Sequence, residues 1–270
     1  MIAVSGTLYR LYANILRSIV QEWCGQHNKT PDIQFGFFPG RSTLEPLFIL
    51  KHLKDAAQKL QASTSRLYAA FVDFKQAYDS ISRDKLWKHL RRCHMPHHLL
   101  SILQDLYYTD EYTLLDGDKQ ASVQPEFGVK QGCPLSPWFF SNYLNDVDSL
   151  AEGVQGTLPG FPNFAVLELL FADDLFLLSN VHDQLQTMLD RLSVYAHRKS
   201  LTVNTHKSEV VCFNSRSGNR LPPLYDDGIQ LSYTDTFKYL KEMVCDKKYA
   251  SIWPLWLMQH WDSSRLALSE

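Results

Sequence analysis

Two adjacent carboxylates, Asp173 and Asp174, interrupt an otherwise apolar run from Leu169 to Leu178. An ionised carboxyl in an apolar setting is costly unless it is paired or binds a metal. The flanks Leu169–Phe171 and Leu175–Leu178 have strand length and polar bounds, which predicts a buried hairpin with the two acids at its tip. Two readings fit such a tip. It is a polar turn between core strands, since Asp is a common turn residue, or it presents carboxylates to a cation at one end of a sheet. A third acid, Asp73, closes a second strand-like run, Leu67–Val72. An acid at a strand end is well placed for a metal or for proton transfer. Asp79 reads instead as a helix cap or turn residue. Lys207 lies in a polar turn, Thr205 to Ser208. Arg41 precedes a helix start, where backbone N–H groups suit an anion such as phosphate, although a plain structural turn also accounts for that segment. Gly132, in the string GVKQGCPLSP, leaves room for a close approach to the backbone.

Elements must hold these residues in place. Residues 5–24 predict an amphipathic helix, with Leu8, Leu11, Tyr12, Ile15, Leu16, Ile19, Val20 and Trp23 at helical spacing, Ser5 or Thr7 as cap, and Arg10 and Arg17 solvated. Gln34 to Thr43 is a Gly/Pro-punctuated loop. It enters a helix capped by Ser42 or Thr43, with Leu47, Leu50, Leu53 and Leu60 on its apolar face. The turn after Asp73 leads to a helix carrying Leu86, Trp87 and Leu90, and residues 97–108 form another. Tyr112–Leu115 and Ala121–Gln124 flank an Asp-Gly turn and read as a hairpin. The GVKQGCPLSP loop leads into a helix from Trp138 to about Leu150, with Ser136 as cap and Pro137 in its first turn. Val181–Arg198 is helical. Leu201–Asn204 and Glu209–Phe213 read as a strand pair around Lys207. Residues 215–228 are loop, and Phe237–Leu240 is a short final strand. The tail with Trp253, Trp256 and Trp261 shows no period.

Composition bounds the answer. The chain has 270 residues, 45% hydrophobic and 21% charged, enough for a large core and unlike a disordered chain. The net charge of −2 gives no global basic field, so any nucleic-acid groove must be local. Five scattered cysteines without a CxxC point to reduced thiols and an intracellular setting, nucleus or cytoplasm. There is no 18-residue apolar run and no signal-like N-terminus, so a membrane partner is not expected.

Five strings stand in order: QFGFFPGRST, FVDFKQAYD, VKQGCPLSP, FADD and FKYL. Together, from about Ile2 to Leu240, the chain resembles a reverse transcriptase of the non-LTR (LINE-type) retrotransposon class. FADD stands where that family usually has YADD; Phe171 keeps the ring and loses the hydroxyl. The resemblance implies an α+β right-hand polymerase fold, an antiparallel palm sheet with helices behind and interleaved helical fingers. Residues 1–66 and 84–125 would be fingers, 67–83 and 126–240 palm, and 241–270 a thumb remnant or divergent tail. It implies RNA-directed DNA polymerisation: addition of dNTPs to a DNA primer 3′ end on an RNA template. Asp73, Asp173 and Asp174 would converge on two Mg²⁺, with Mn²⁺ as the substitute, about 3.5–4 Å apart in such sites. Asp73 and Asp173 would be the main ligands, the Phe74 carbonyl would join one ion and Asp174 would support the site. Tyr78 would floor the sugar pocket and exclude a 2′-hydroxyl. Gln131 and Gly132 would touch the nucleotide and template. Lys207 would approach the triphosphate as proton donor to pyrophosphate. Phe237, Lys238, Tyr239 and Leu240 would grip the primer, and Arg41 would meet template backbone.

The chain also departs from that family's pattern. It opens inside the first fingertip block, without the basic residues that usually precede it. Lys241 stands where the family generally has Gly. No endonuclease, RNase H or complete Cys/His-rich segment is visible. These departures leave a second reading, a catalytically silent retrotransposon remnant that at most binds nucleic acid. A small metal-dependent phosphohydrolase is a third, against which the polymerase strings argue.

Overall fold

The computed structural model describes residues 6–27, 33–38, 40–59, 66–108, 112–116, 119–123, 125–130, 132–154, 168–215, 221–240 and 242–245. Helix α1 (Thr7–Gln26) and helix α2 (Leu44–Lys59) precede strand β1 (Leu67–Val72). Helices α3 (Arg83–Arg92) and α4 (His97–Tyr108) follow, then a hairpin of β2 (Tyr112–Asp116) and β3 (Lys119–Val123). Helix α5 (Ser136–Tyr143) and a 3₁₀ turn (Val147–Leu150) lead on to β4 (Glu168–Phe171) and β5 (Asp174–Ser179). Next come α6 (His182–Lys199) and β6 (Glu209–Phe213), then the short pair β7 (Tyr225–Asp226) and β8 (Ile229–Gln230). The last described elements are β9 (Ser232–Tyr233) and the hairpin β10 (Thr236–Tyr239) and β11 (Glu242–Cys245).

The main sheet has the order β4-β5-β1-β6-β9, antiparallel except for the β6–β9 pair. β1 lies at its centre and is buried at all six positions. Such a strand needs cover on both faces, which is why its sequence, LYAAFV, carries no charge. Alternation sorts its side chains. Leu67, Ala69 and Phe71 join Leu169, Phe176, Leu178, Val211 and Phe213 under α2, through Leu47, Leu50, Leu53 and Ala57. Tyr68, Ala70 and Val72 face the larger core, built with Leu170, Leu175 and Leu177 and residues of α1 and α3 to α6. A first-turn proline, Pro137, starts α5. At α2, Ser42 N donates to Glu45 Oε2 at 2.8 Å and Leu44 N donates to Ser42 Oγ at 3.3 Å, a capping box.

Several expectations need correction. In α1, Ala13, Leu16, Val20, Trp23 and Cys24 are buried, whereas Leu8, Leu11, Tyr12, Ile15 and Ile19 are exposed. The apolar stripe is broader than the surface the core offers it. Its N-cap is Gly6, with no side-chain cap, instead of Ser5 or Thr7. Ser136 lies inside α5 and caps nothing; its hydroxyl donates to the Lys130 carbonyl at 2.6 Å and ties down the preceding loop. The helix expected to reach Leu150 ends at Tyr143 and resumes as the 3₁₀ turn. Leu201–Asn204 is not the partner of β6. β6 pairs with β1, and the earlier segment meets β1's exit through a bridge between Phe74 and Val203. The 215–228 loop contains β7, which pairs with β8 around Asp227 and Gly228. Leu60, Gly117, Asp118, Gln124, Gln131, Lys241 and residues 246–270 lie outside the described residues.

Candidate active site

β1 and β5 pair with Val72 opposite Leu175. One step further along the same register sets Asp73 opposite Asp174. β4 and β5 close with Phe171 opposite Asp174, so Ala172 and Asp173 alone form the turn. The expected hairpin and its juxtaposition with the first acid therefore both exist. Burial, with Asp73 nearby, raises the Asp173 carboxyl above the ordinary range. Burial, then Asp173 and Asp73, push Asp174 up to about 6. Like charges held together out of water favour protonation or a bound cation. Among the described residues no three His, Cys, Asp or Glu side chains form a ready-made metal cage. Glu168, in the same hairpin, is only 4% exposed and is pushed by burial to about 8. Burial thus favours its neutral form, and it lies at the end of β4 away from the Ala172–Asp173 turn.

The segment from Thr202 to Ser208 fixes Asp73. Lys75 N donates to Thr202 O at 2.8 Å and Asn204 N to Asp73 O at 2.7 Å. Neither bond uses the Phe74 carbonyl, the group expected to meet a cation. Asn204 Nδ2 donates to Asp73 Oδ2 at 2.9 Å, and Asp73 N donates to Ser208 Oγ at 3.1 Å. Asn204 and Ser208 were not legible as site residues. The only signal was a polar pair breaking the apolar rhythm of Leu201 and Val203. Lys207, in the same turn, is exposed and lines a pocket of about 190 Å³ with Asp73, Asp174, Phe71, Phe237 and Tyr239.

β10 forms one wall of that pocket. Phe237 stacks on Phe71 at 4.1 Å between centroids and Tyr239 meets Phe176 at 3.9 Å. The Tyr239 side chain is 1% exposed, and its hydroxyl has no hydrogen-bond partner among the described residues. Burial and the nearby Asp174 raise its pKa. Lys238 points the other way and is exposed, and Leu240 packs partly against the α2-side core.

Tyr78 stands on the other flank. Its ring stacks on Phe140, 4.9 Å apart at 12°, and its phenol is raised by burial and then by Asp173. The GVKQG loop is fastened to the same turn. Gly128 N donates to Ile81 O at 2.7 Å and Val129 N to Tyr78 O at 2.9 Å. Gly128 has φ +83°, and a Cβ there would meet Asp79 at 3.1 Å, so only glycine fits. Buried Arg83 braces the loop through Nε to Gly128 O at 2.9 Å. Gly132 is exposed with φ +88°; its neighbour Gln131 is outside the described residues. Arg41 is turned inward: its Nη1 donates to Gln34 O at 2.7 Å and its guanidinium lies over the Phe35 ring. The start of α2 already holds the Glu45 carboxylate, so no open anion site remains in the capping box.

Residues 1–241 match the family described as reverse transcriptase (RNA-dependent DNA polymerase). The chain is 28% identical over 185 residues to the Pol polyprotein of the type-1 retrotransposable element R2 of Nasonia vitripennis, covering 68% of this chain and 18% of that protein. It is 30% identical over 243 residues to the probable RNA-directed DNA polymerase from transposon BS of Drosophila melanogaster, covering 86% of this chain and 25% of that protein. Among solved structures, apo telomerase from Candida tropicalis superimposes with a TM-score of 0.58 at 16% identity, covering 79% of this chain and 43% of that one. The chain belongs to the reverse transcriptase family, and within it to the stretch shared with non-LTR retrotransposon polymerases. Its fold is the polymerase palm with fingers. It spans well under half the length of these relatives.

Proposed function

We propose that this chain is the catalytic part of an RNA-directed DNA polymerase, adding dNTPs to a DNA primer on an RNA template inside the cell. The observation that carries the reading is the meeting of Asp73, Asp173 and Asp174 at one sheet end, all three beside or at the mouth of a pocket. Their donor set fits two Mg²⁺, or Mn²⁺ in its place. Divalent cations bound there supply Lewis-acid activation of the primer 3′-hydroxyl and charge stabilisation at the leaving pyrophosphate. The chain's own residues do the rest, which in phosphoryl transfer is mostly positioning and electrostatics. Asp73 and Asp173 are the main ligands, with Asp174 and the Phe74 carbonyl beside them. Asn204 holds the Asp73 carboxylate at one oxygen and leaves the other open. Lys207 extends over the pocket, where it can donate a proton to pyrophosphate. Phe237 to Leu240 form the primer side. Tyr78, backed by Phe140, sits where the nucleotide sugar passes and blocks a 2′-hydroxyl, with Gln131 and Gly132 flanking the base. Arg41 serves the template side through the loop it braces.

Primer extension by the 270-residue chain on RNA and on DNA templates tests this. Mg²⁺-dependent extension is the expected outcome; no extension on either template, while the chain is folded, identifies a silent remnant. Tyr78→Ala should raise ribonucleotide incorporation relative to dNTPs by about 10–100-fold, the scale on which pocket sterics discriminate.

A further inference from the structure

The turn that carries Asp173 is held in a conformation its sequence does not favour. Ala172 has φ +57°, a left-handed backbone that is unfavourable for a residue with a Cβ. Two-residue hairpin turns with a positive φ are normally filled by Gly, Asn or Asp. The compensation comes from the other end of the sequence. Gln34 is fully buried, at 0% exposed. Its Oε1 accepts from Ala172 N at 2.9 Å and from Gly36 N at 2.8 Å, and its Nε2 donates to Ala172 O at 3.3 Å. One side-chain amide thus pairs with both backbone groups of the strained residue. Main-chain bonds dock the same segment: Leu170 N donates to Ile33 O at 2.9 Å and Phe35 N to Leu170 O at 2.7 Å. A Cβ at position 36 would lie 2.5 Å from Ala172 N, so glycine is required there for the approach.

We propose that Gln34 is a positioning residue for the polymerase reaction: its amide locks Ala172 and so fixes the direction in which Asp173 and Asp174 project. The proposal rests on the polymerase reading above. The chemistry selects Gln because the site needs an acceptor and a donor on one planar group. Leucine offers neither. An ionised glutamate accepts from both N–H groups but faces the Ala172 carbonyl with a lone pair.

The experiment compares Gln34→Leu, Gln34→Glu and Gln34→Leu/Ala172→Gly with the unsubstituted chain, reading kcat, dNTP KM, template–primer Kd and thermal melting. Gln34→Leu should lower kcat about 100-fold, the loss expected for a misplacement of about 1 Å. The dNTP KM and template–primer Kd should stay within about 3-fold. Gln34→Glu, which keeps an acceptor for both N–H groups but loses the donor to the Ala172 carbonyl, should also lower kcat, by about 10-fold or more. Ala172→Gly, which accepts the left-handed backbone freely, should recover part of the Gln34→Leu loss. A Gln34→Leu chain with parental kcat, or a Gln34→Glu chain with parental kcat, overturns the proposal. Failure of the polymerase reading is separate, because then the unsubstituted chain extends no primer. In that case amide hydrogen exchange across residues 168–178 decides instead: faster exchange at Ala172 in Gln34→Leu supports the lock, and unchanged exchange overturns it.

Discussion

Asp146 and the pair Asp173–Asp174 are half-buried acids, and the chain treats them in opposite ways. Asp146 Oδ1 receives Lys199 Nζ at 2.7 Å and the Tyr195 hydroxyl at 2.9 Å. Lys199 Nζ also donates to Tyr143 O at 2.8 Å, and the Tyr143 hydroxyl donates back to the Lys199 carbonyl. Burial alone would raise the Asp146 carboxyl; the hydrogen bond and charge of Lys199, with Tyr195, carry it below the ordinary range. Among the described residues Asp173 and Asp174 have no such partner; burial raises both, aided by Asp73 at Asp173 and by Asp173 and Asp73 at Asp174. A carboxylate with its counter-charge supplied by the chain is a structural fastening. Carboxylates gathered without one, with Asp174 lining a pocket, are the feature on which the proposed cation site rests.

The contrast can be broken at either end. Asp173→Ala should have the largest effect. Loss of a ligand that stabilises transition-state charge is worth several kcal/mol, so extension should fall ~10³-fold or more. Circular dichroism and the urea midpoint should be retained, and unchanged extension would erase the distinction. Lys199→Met should act on the other region, leaving a carboxylate without its cation. The Lys199 side chain is 9% exposed and that of Asp146 is 44% exposed. The loss in urea unfolding should therefore lie at the low end for broken buried pairs, about 2 kcal/mol. The rate per folded molecule should be unaltered, and Asp146→Asn in the same chain should recover part of the stability. The smallest and sharpest effect is Asp174→Asn without metal. The Asp174 pKa is raised to about 6 in the fold, so the native state favours the neutral carboxyl. Its contribution is fully present below the unfolded value and is lost as pH rises through the folded one. The variant should therefore gain roughly 1 kcal/mol over the parent between about pH 4 and 7, a figure reduced for partial solvent screening. Millimolar Mg²⁺ should narrow that gap by stabilising the parent more; melts across pH with and without Mg²⁺ provide the check.

The parts legible in the sequence were those where local pattern and tertiary demand agree. β1, β4, β5 and β6 are apolar runs ended by acids or turns; α2 and α6 carry apolar faces that the sheet covers, and those of α3 and α4 join the larger core. Asp73 and Asp173 could be named because each terminates such a run. The illegible parts depend on which distant surface arrives. Five of the eight residues in the α1 stripe are solvent-facing although its period is sound. Ser136 holds a loop, where spacing suggested a cap. Gln34 and Asn204 act on residues more than a hundred positions away, so the partner of each cannot be read from its own neighbourhood. At Arg41 the sequence left a plain turn and an anion site side by side; the hydrogen bond from Arg41 to the Gln34 carbonyl and the Glu45 carboxylate at the helix start come from tertiary and capping geometry that spacing does not show.

The central place of β1 imposes a parity rule on this protein. Side chains on a strand alternate faces, so Asp73 shares a face with Phe71 only while the count between them stays even. One residue inserted within Leu67–Val72 would send the carboxylate into the layer of Tyr68 and Ala70, away from the pocket. Two would restore the face but carry the acid about 7 Å along the strand, past its place opposite Asp174. Exchange of one apolar side chain for another is therefore tolerable in β1, while a change in its length is not.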